Sequence, residues 1–259
     1  MRSRHLHGFF LLALAGCWSA GLVGCRAKPA ASPIRLLTAS ATAELLHELA
    51  TDFQSKTGVP VEVVPRATGR LRPELATDPN FDLLIADERG VLRSLLADRR
   101  VDGEGRLWLR SALALAGPAI DPALGLGNLD PARLHEIAVA SPDMTALGVA
   151  TVELIDDLGR TEGLAKKRLV GESAAETLGL VDRKVTGAGV ICLGQWGDRP
   201  QSQVFAIAES VHAEMEFLAA LCSRADRHPR AAELLDFLFG EAAGQVAGAR
   251  GWLVPPRGK

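Results

Sequence analysis

Strand-like apolar runs that alternate with amphipathic segments are the feature that most constrains the fold of this chain. The segment "IRLLTA" predicts a strand, "TAELLHELATDFQSKTG" predicts a helix that stops at Gly58, and "VPVEVVP" and "FDLLIAD" predict two further strands. This alternation is typical of an α/β sheet built from βαβ units. In the last quarter, "EMEFLAALCS" and "HPRAAELLDFLFGEAAGQVAGARG" predict two helices.

The size and charge of the chain exclude some classes of protein. With 259 residues, 47 % of them hydrophobic, the chain can bury one large core or form two lobes of ~100 residues each. A formal net charge of −2 supplies no basic field, and no Lys/Arg stripe with interleaved aromatic residues is present. We therefore expect no nucleic-acid partner.

The first 25 residues have the pattern of an export signal. Two arginines precede "FFLLALAG", which is too short to span a bilayer, and "LVGC" follows. This ending resembles the lipobox of bacterial lipoproteins, in which a lipid is attached to the Cys; the alternative is an ordinary cleaved signal peptide. We expect a signal peptide over residues 1–24, then a tether over residues 25–33 that begins at a lipidated Cys25. The protein would be exported and anchored to a membrane, in the periplasm or at the cell surface.

Catalytic and metal-binding patterns are weak. Cys192 could form a thiol enzyme with a distant His135 or His212, but no activating motif surrounds it. His212, Glu214 and Glu216 alternate instead of lying three or four residues apart, which favours a solvated face over a metal site. The sequence therefore predicts neither an enzyme nor a metal centre.

Small or polar residues follow several of the predicted strands, in "TAS", "RATG", "ASPD" and "CLG". Ligands of open α/β sheets bind at the carboxyl ends of strands, although short loops favour such residues in any case. In "LTASATAELL", Ser40 has two interpretations. It could cap the following helix, or it could help to seat an anion at the helix N-terminus.

The order of these motifs resembles the family of periplasmic molybdate-binding proteins, the solute receptors of ABC-type importers. The resemblance covers about residues 34–255. "TASATAELLHELATDFQSKTGVPVEV" is similar to the opening of the family, "RATGRL" stands at its Ser-Gly turn, and "FDLLIAD" resembles a strand that ends in Ala-Asp. "ASPDMTALG" resembles its Asn-Pro-x-x-x-Pro-Ala-Gly segment, and "LLDFLFGEAAGQVAGARGW" resembles its closing helix pair.

The resemblance implies an α/β protein with the two-lobed type II periplasmic binding-protein fold. Each lobe would be a mixed sheet flanked by helices, with the ligand cleft between the lobes. Lobe I would comprise residues 34–108 and 209–259, and lobe II residues 109–208. The hinge is expected around Leu107 to Ser111 and Phe205 to Ser210.

The resemblance also implies an oxyanion site built from neutral hydrogen-bond donors. The donors fall on Ser40, Thr68, Leu147, Ala174 and Cys192. Ser40 and Thr68 would donate from their side-chain hydroxyls, Leu147 and Ala174 from their backbone N–H groups, and Cys192 from its thiol. Thr68 preserves a hydroxyl, whereas "TALG" lacks the proline of the family. Cys192 replaces a tyrosine, so a weak S–H donor stands where the family has a strong one, and Gln195 is a neighbour that could complete the site.

The implied function is binding of molybdate, tungstate or a similar oxyanion and its delivery to an ABC-type permease with its ATPase. The lipid on Cys25 would hold the receptor at the membrane. We expect a monomer without a cofactor and without direct metal ligands. The alternative is a lipoprotein with the same fold that acts as an oxyanion or small-ligand sensor or as an interaction domain, without transport.

Overall fold

The computed structural model describes residues 32–256, in which ten strands alternate with nine helices. The strands are β1 (Ile34–Ala39), β2 (Val61–Arg66), β3 (Leu83–Ala86), β4 (Arg106–Ser111), β5 (Leu113–Ala116), β6 (Ile137–Ala140), β7 (Arg168–Gly171), β8 (Gly189–Cys192), β9 (Val204–Ala206) and β10 (Met215–Leu221). The helices are α1 (Ala43–Thr57), α2 (Thr68–Thr77), α3 (Arg89–Ala97), α4 (Ala146–Asp157), α5 (Thr161–Leu164), α6 (Ala174–Asp182), α7 (Leu193–Trp196), α8 (Ala231–Leu238) and α9 (Glu241–Ala249). The predicted signal peptide and Cys25 lie outside the described residues.

The strands form two mixed five-stranded sheets. The first has the order β2-β1-β3-β10-β4, with β1 parallel to β2 and β3, and β10 antiparallel to β3 and β4. The second has the order β7-β6-β8-β5-β9, with β6 parallel to β7 and β8, and β5 antiparallel to β8 and β9. The predicted α/β fold with two mixed sheets flanked by helices is thus confirmed.

The chain passes between the sheets twice. It leaves the first sheet at Ser111 and enters the second at Leu113, and it returns between Ala206 and Met215. Two such connections allow a pair of lobes to move about a hinge.

One predicted helix is wrong. "EMEFLAALCS" contains β10, which runs between β3 and β4. Five of the seven residues of β10 are buried, so the segment lacks the alternation of a strand with one exposed face. A short, uniformly apolar run can be a helix or a central strand, and its periodicity does not distinguish the two. The segment that follows contains two helices, α8 and α9, instead of one.

Local packing explains where helices begin and end. Helix α1 ends at Gly58, whose φ of 72° is the left-handed conformation that favours glycine, which confirms the predicted stop. In α4, a Cβ atom at Gly148 would clash with the backbone of Ser141, so only glycine lets this helix approach the end of β6 so closely.

No helix of residues 32–256 is both long and apolar enough to cross a membrane.

Candidate functional site

The predicted ligand-binding residues lie where strands of the two sheets end. Ser40 follows β1, and Thr68 begins α2 directly after β2. Cys192 is the last residue of β8, while Leu147 and Ala174 lie in the first turns of α4 and α6. The first two residues therefore come from the first sheet and the other three from the second.

Ser40 is buried and contacts α6 directly. Its Oγ accepts a hydrogen bond from the backbone N–H of Ala175 at 3.3 Å. A hydroxyl that accepts one hydrogen bond still has its own proton to donate. Helix α1 begins at Ala43 and has Thr42 at its N-cap, so Ser40 does not cap it and the cap interpretation is wrong.

Gln195 connects two of the predicted positions. Its Nε2 donates to the carbonyl oxygen of Ala174 at 3.1 Å, and its Oε1 accepts from the backbone N–H of Cys192 at 3.1 Å. Ser173 caps α6 by accepting from the N–H of Glu176 at 3.1 Å. The N–H of Ala174 has no acceptor inside the helix, because it lies in the first turn. It is therefore available as a donor at the start of α6.

Cys192 is fully buried, and burial raises the pKa of its thiol. The negative charge of Asp87 raises that pKa further, while a hydrogen bond with Ser111 lowers it. A catalytic thiol needs a lowered pKa, and no histidine of residues 32–256 is hydrogen-bonded to Cys192. These surroundings disfavour the thiol-enzyme alternative. Cys192 and Cys222 are both free.

Asp87 is a residue of this region that the motifs did not single out. It follows β3, and both of its carboxylate oxygens accept the Thr68 hydroxyl, at 2.8 and 2.9 Å. Asp87 is only 7 % exposed, and burial raises its pKa to about 6. A usable signal was present in the sequence, because Asp87 ends "FDLLIAD" at the same edge of the sheet as Ser40.

A hydrogen bond also joins the beginning of α2 to the segment that precedes α4. The N–H of Gly69 donates to the carbonyl oxygen of Met144 at 3.0 Å. Thr145 caps α4 by accepting from the N–H of Gly148 at 2.9 Å. The N–H of Leu147 lies one residue earlier, in the first turn, where the helix offers it no acceptor.

These interactions form a path between the two sheets. Hydrogen bonds lead from Ser40 to the start of α6 and through Gln195 to Cys192, and the charge of Asp87 acts electrostatically on Cys192. From Asp87, hydrogen bonds lead to Thr68 at the start of α2 and on to the segment before α4. All five predicted positions lie on it or one turn from it. Their contact with a ligand stays a prediction.

The electrostatics beside this path do not favour an anion. A cleft of about 420 Å³ is lined by Thr68, Met144 and Ala146 among other residues. Its one arginine, Arg89, is paired with Glu216 at 2.6 Å. The carboxylates that line the cleft are Asp87, Glu88, Asp143, Glu153, Glu214 and Glu216. They form no metal site, since no group of three or more potential metal-ligating side chains exists within residues 32–256. An anion here would depend on N–H and O–H dipoles.

Arg199 links the two sheets at the edge of the site. Its guanidinium contacts Glu44 of α1, at 2.8 Å, and Asp182 of α6, also at 2.8 Å. The same guanidinium donates to the carbonyl oxygens of Gln195 and Trp196. These two carboxylates raise the pKa of Arg199, which therefore stays charged. This ionic contact favours the arrangement in which Ser40 reaches α6.

Two mixed sheets, flanked by helices and joined by two connections, have the two-lobed architecture of solute-binding proteins. The model of the family described as bacterial extracellular solute-binding protein matches residues 34–253. The chain belongs to this family.

Individual relatives agree with this assignment. The chain is 23 % identical over 254 residues to the molybdate-binding protein ModA of Azotobacter vinelandii, covering 94 % of this chain and 98 % of that protein. The structure of the periplasmic molybdate-binding protein of the same organism matches with a TM-score of 0.78 at 16 % identity, over 86 % of this chain and 100 % of the other. The sulfate-binding protein SubI of Mycobacterium tuberculosis H37Rv matches with a TM-score of 0.69 at 14 % identity, over 85 % and 86 %. The resemblance predicted from the motifs and the periplasmic binding-protein fold are confirmed.

Proposed function

We propose that this chain is an exported receptor that binds molybdate or a similar tetrahedral oxyanion such as tungstate and delivers it to an ABC-type importer. The observation that carries the proposal is the path of contacts between the sheets. The hydroxyls of Ser40 and Thr68 take part in its hydrogen bonds, and it passes the first turns of α4 and α6, which supports the proposed set of donors. Similarity to a molybdate-binding protein over almost the whole chain supports this ligand class.

The proposed binding mechanism is hydrogen bonding of the anion between the lobes. Converging N–H and O–H dipoles can hold a divalent oxyanion without a counter-charge, and each hydrogen bond to a charged ligand contributes about 1.5 to 3 kcal/mol. Ser40, Thr68, Cys192 and the N–H groups of Leu147 and Ala174 are the proposed donors. The anion would stabilise the closed arrangement of the lobes, because only that arrangement brings donors of both sheets together.

The lobes and the anchor complete the proposal. Lobe I would comprise residues 34–108 and 209–259, and lobe II residues 109–208, with the hinge at the two connections between the sheets. A lipid on Cys25 would hold the receptor at the outer face of a membrane, where the permease can receive the ligand from a monomer. The proposal needs no cofactor and no catalytic step.

Isothermal titration calorimetry tests the ligand class. Protein processed by an exporting host would be titrated with molybdate, tungstate, sulfate and phosphate after removal of bound ligand. We expect one-to-one binding of molybdate and tungstate. Folded, ligand-free protein that binds none of the four anions would refute the oxyanion receptor and favour the sensor or interaction alternative.

Single substitutions test the proposed donors. Ser40→Ala and Thr68→Ala should each weaken binding by about 1 to 3 kcal/mol, because each removes a hydroxyl donor to a charged ligand. Ser55→Ala is the matched control, since Ser55 is exposed on α1 and its hydroxyl bonds only to its own helix. Unchanged affinity in both donor variants would exclude these residues from the site.

A further inference from the structure

We infer that Asp87 must be protonated when a fully ionised oxyanion binds, so that one proton enters the site together with the anion. The inference rests on the proposed function, because it concerns the same ligand and the same donors. It gives Asp87 a role that the family resemblance does not assign to it.

The position of Asp87 places it beside two proposed donors. Its carboxylate lies within hydrogen-bond distance of the Thr68 hydroxyl, at 2.8 and 2.9 Å. It is also close enough to Cys192 to act on the thiol electrostatically. An anion that reached both donors would therefore lie next to the carboxyl group of Asp87.

A second buried aspartate shows what Asp87 lacks. Asp82 accepts hydrogen bonds from the backbone N–H groups of Arg35, at 2.9 Å, and His228, at 2.8 Å. The guanidinium of Arg224 lies 3.7 Å from it. Asp87 has no ion-pair partner within residues 32–256, although it is almost as buried as Asp82. Its negative charge is therefore not neutralised by the protein.

The protonation state of Asp87 controls the Thr68 hydroxyl. When Asp87 is ionised, it accepts the only hydroxyl proton of Thr68, so that donor is lost to a ligand. An ionised Asp87 also repels a dianion at short range, and its burial weakens the screening of that repulsion by solvent. A protonated Asp87 removes the repulsion and accepts the Thr68 proton less strongly. Its own O–H can donate to the Thr68 oxygen, which lets Thr68 direct its proton to the ligand.

The charged groups around Asp87 do not replace this proton. Glu88 is adjacent in the chain and raises the pKa of Asp87 through its charge. Arg89 of α3 is paired with Glu216 of β10. The other acidic groups that line the cleft are Asp143, Glu153 and Glu214, and Cys192 lies within electrostatic range in the core. Arg110 is paired with Glu214 and Glu216, at 3.5 and 3.2 Å, so it does not neutralise Asp87. A proton on Asp87 is therefore the available way to reduce the negative charge.

Calorimetry with molybdate at pH 6, 7 and 8 tests the inference on the wild-type protein. Molybdate carries no titrating proton in this range, so any proton that enters with it must bind to the protein. From a folded-state pKa of about 6, affinity should fall roughly fiftyfold between pH 6 and pH 8. At pH 8, titrations in two buffers with different ionisation enthalpies should report the uptake of about one proton for each anion.

Two variants sharpen the test. Asp87→Asn, which places a neutral amide at the same position, should bind molybdate with nearly the same affinity at pH 6 and pH 8 and take up no proton. Glu104→Gln removes one negative charge at an exposed position outside the cleft and should keep the pH dependence of the wild type.

The possible results separate the inference from the proposed function. Binding of molybdate by the wild type with equal affinity at pH 6 and pH 8, and without proton uptake, would overturn the role of Asp87 and leave the oxyanion receptor intact. Absence of molybdate, tungstate and sulfate binding at every pH would refute the proposed function itself. Proton uptake by the wild type decides the inference even if Asp87→Asn fails to fold.

Discussion

Replacement of Asp87 by Asn in the ligand-free protein should remove a large pH dependence of stability. Burial raises the pKa of Asp87 from 3.8 to about 6 in the folded state, so the folded protein binds this proton more tightly than the unfolded chain does. The favourable contribution of the proton is present at low pH and is lost as the pH rises through the folded-state pKa. At high pH the ionised carboxylate therefore destabilises the fold by about 3 kcal/mol.

The window between pH 5 and pH 8 is convenient for the measurement. At pH 5 the carboxyl of Asp87 is already ionised in the unfolded chain but still protonated in the folded protein. About half of the total destabilisation is therefore already present at pH 5. The remaining change up to pH 8 is about 1.4 kcal/mol. The advantage of Asp87→Asn over the wild type in the free energy of unfolding should grow by this amount between the two pH values.

Urea denaturation of both proteins at pH 5 and pH 8 provides the four free energies needed. The double difference is the change between pH 5 and pH 8 in the free energy of unfolding of Asp87→Asn minus that of the wild type. All other titrating groups are shared by the two proteins and cancel in it. Glu104→Gln is the control, and its double difference should be close to zero because Glu104 is exposed. A double difference for Asp87→Asn that is also close to zero would refute the view that Asp87 is a buried, uncompensated carboxylate.

Three further substitutions test packing and closure. Gly194→Ala would place a Cβ atom against the ring of Trp252 and should lower the free energy of unfolding by about 1 to 3 kcal/mol. Gly248→Ala lies on α9 with open space around it and should raise the free energy of unfolding by about 0.5 to 1 kcal/mol. Equal effects in urea denaturation would contradict the packing argument. Glu44→Gln removes the ion pair of α1 with Arg199. Because the side chain of Glu44 is half exposed, molybdate affinity should fall only about twofold to fourfold at low salt, and by less at high salt. A salt-independent effect, or none, would show that this ion pair does not contribute to closure.

Much of the site was predictable from local patterns. Hydroxyl residues at the ends of β1 and β2 were visible as Ser40 and Thr68, because strand ends can be inferred from apolar runs and turn residues. The hydrogen bond that the Ser40 hydroxyl accepts was not visible in this way. Its partner, Ala175, is 135 residues away in the chain, and no local pattern records such a contact.

The sequence by itself determined the alternation of strands and helices, the stop of α1 at Gly58 and the small polar residues at strand ends. Each of these depends on interactions among neighbouring residues. The tertiary structure decided that "EMEFLAALCS" contains a strand, because only pairing with β3 and β4 selects between two conformations that suit the same apolar run. It also decided that Asp87 meets Thr68, because hydrogen bonding and burial depend on which strand ends are adjacent in the sheet.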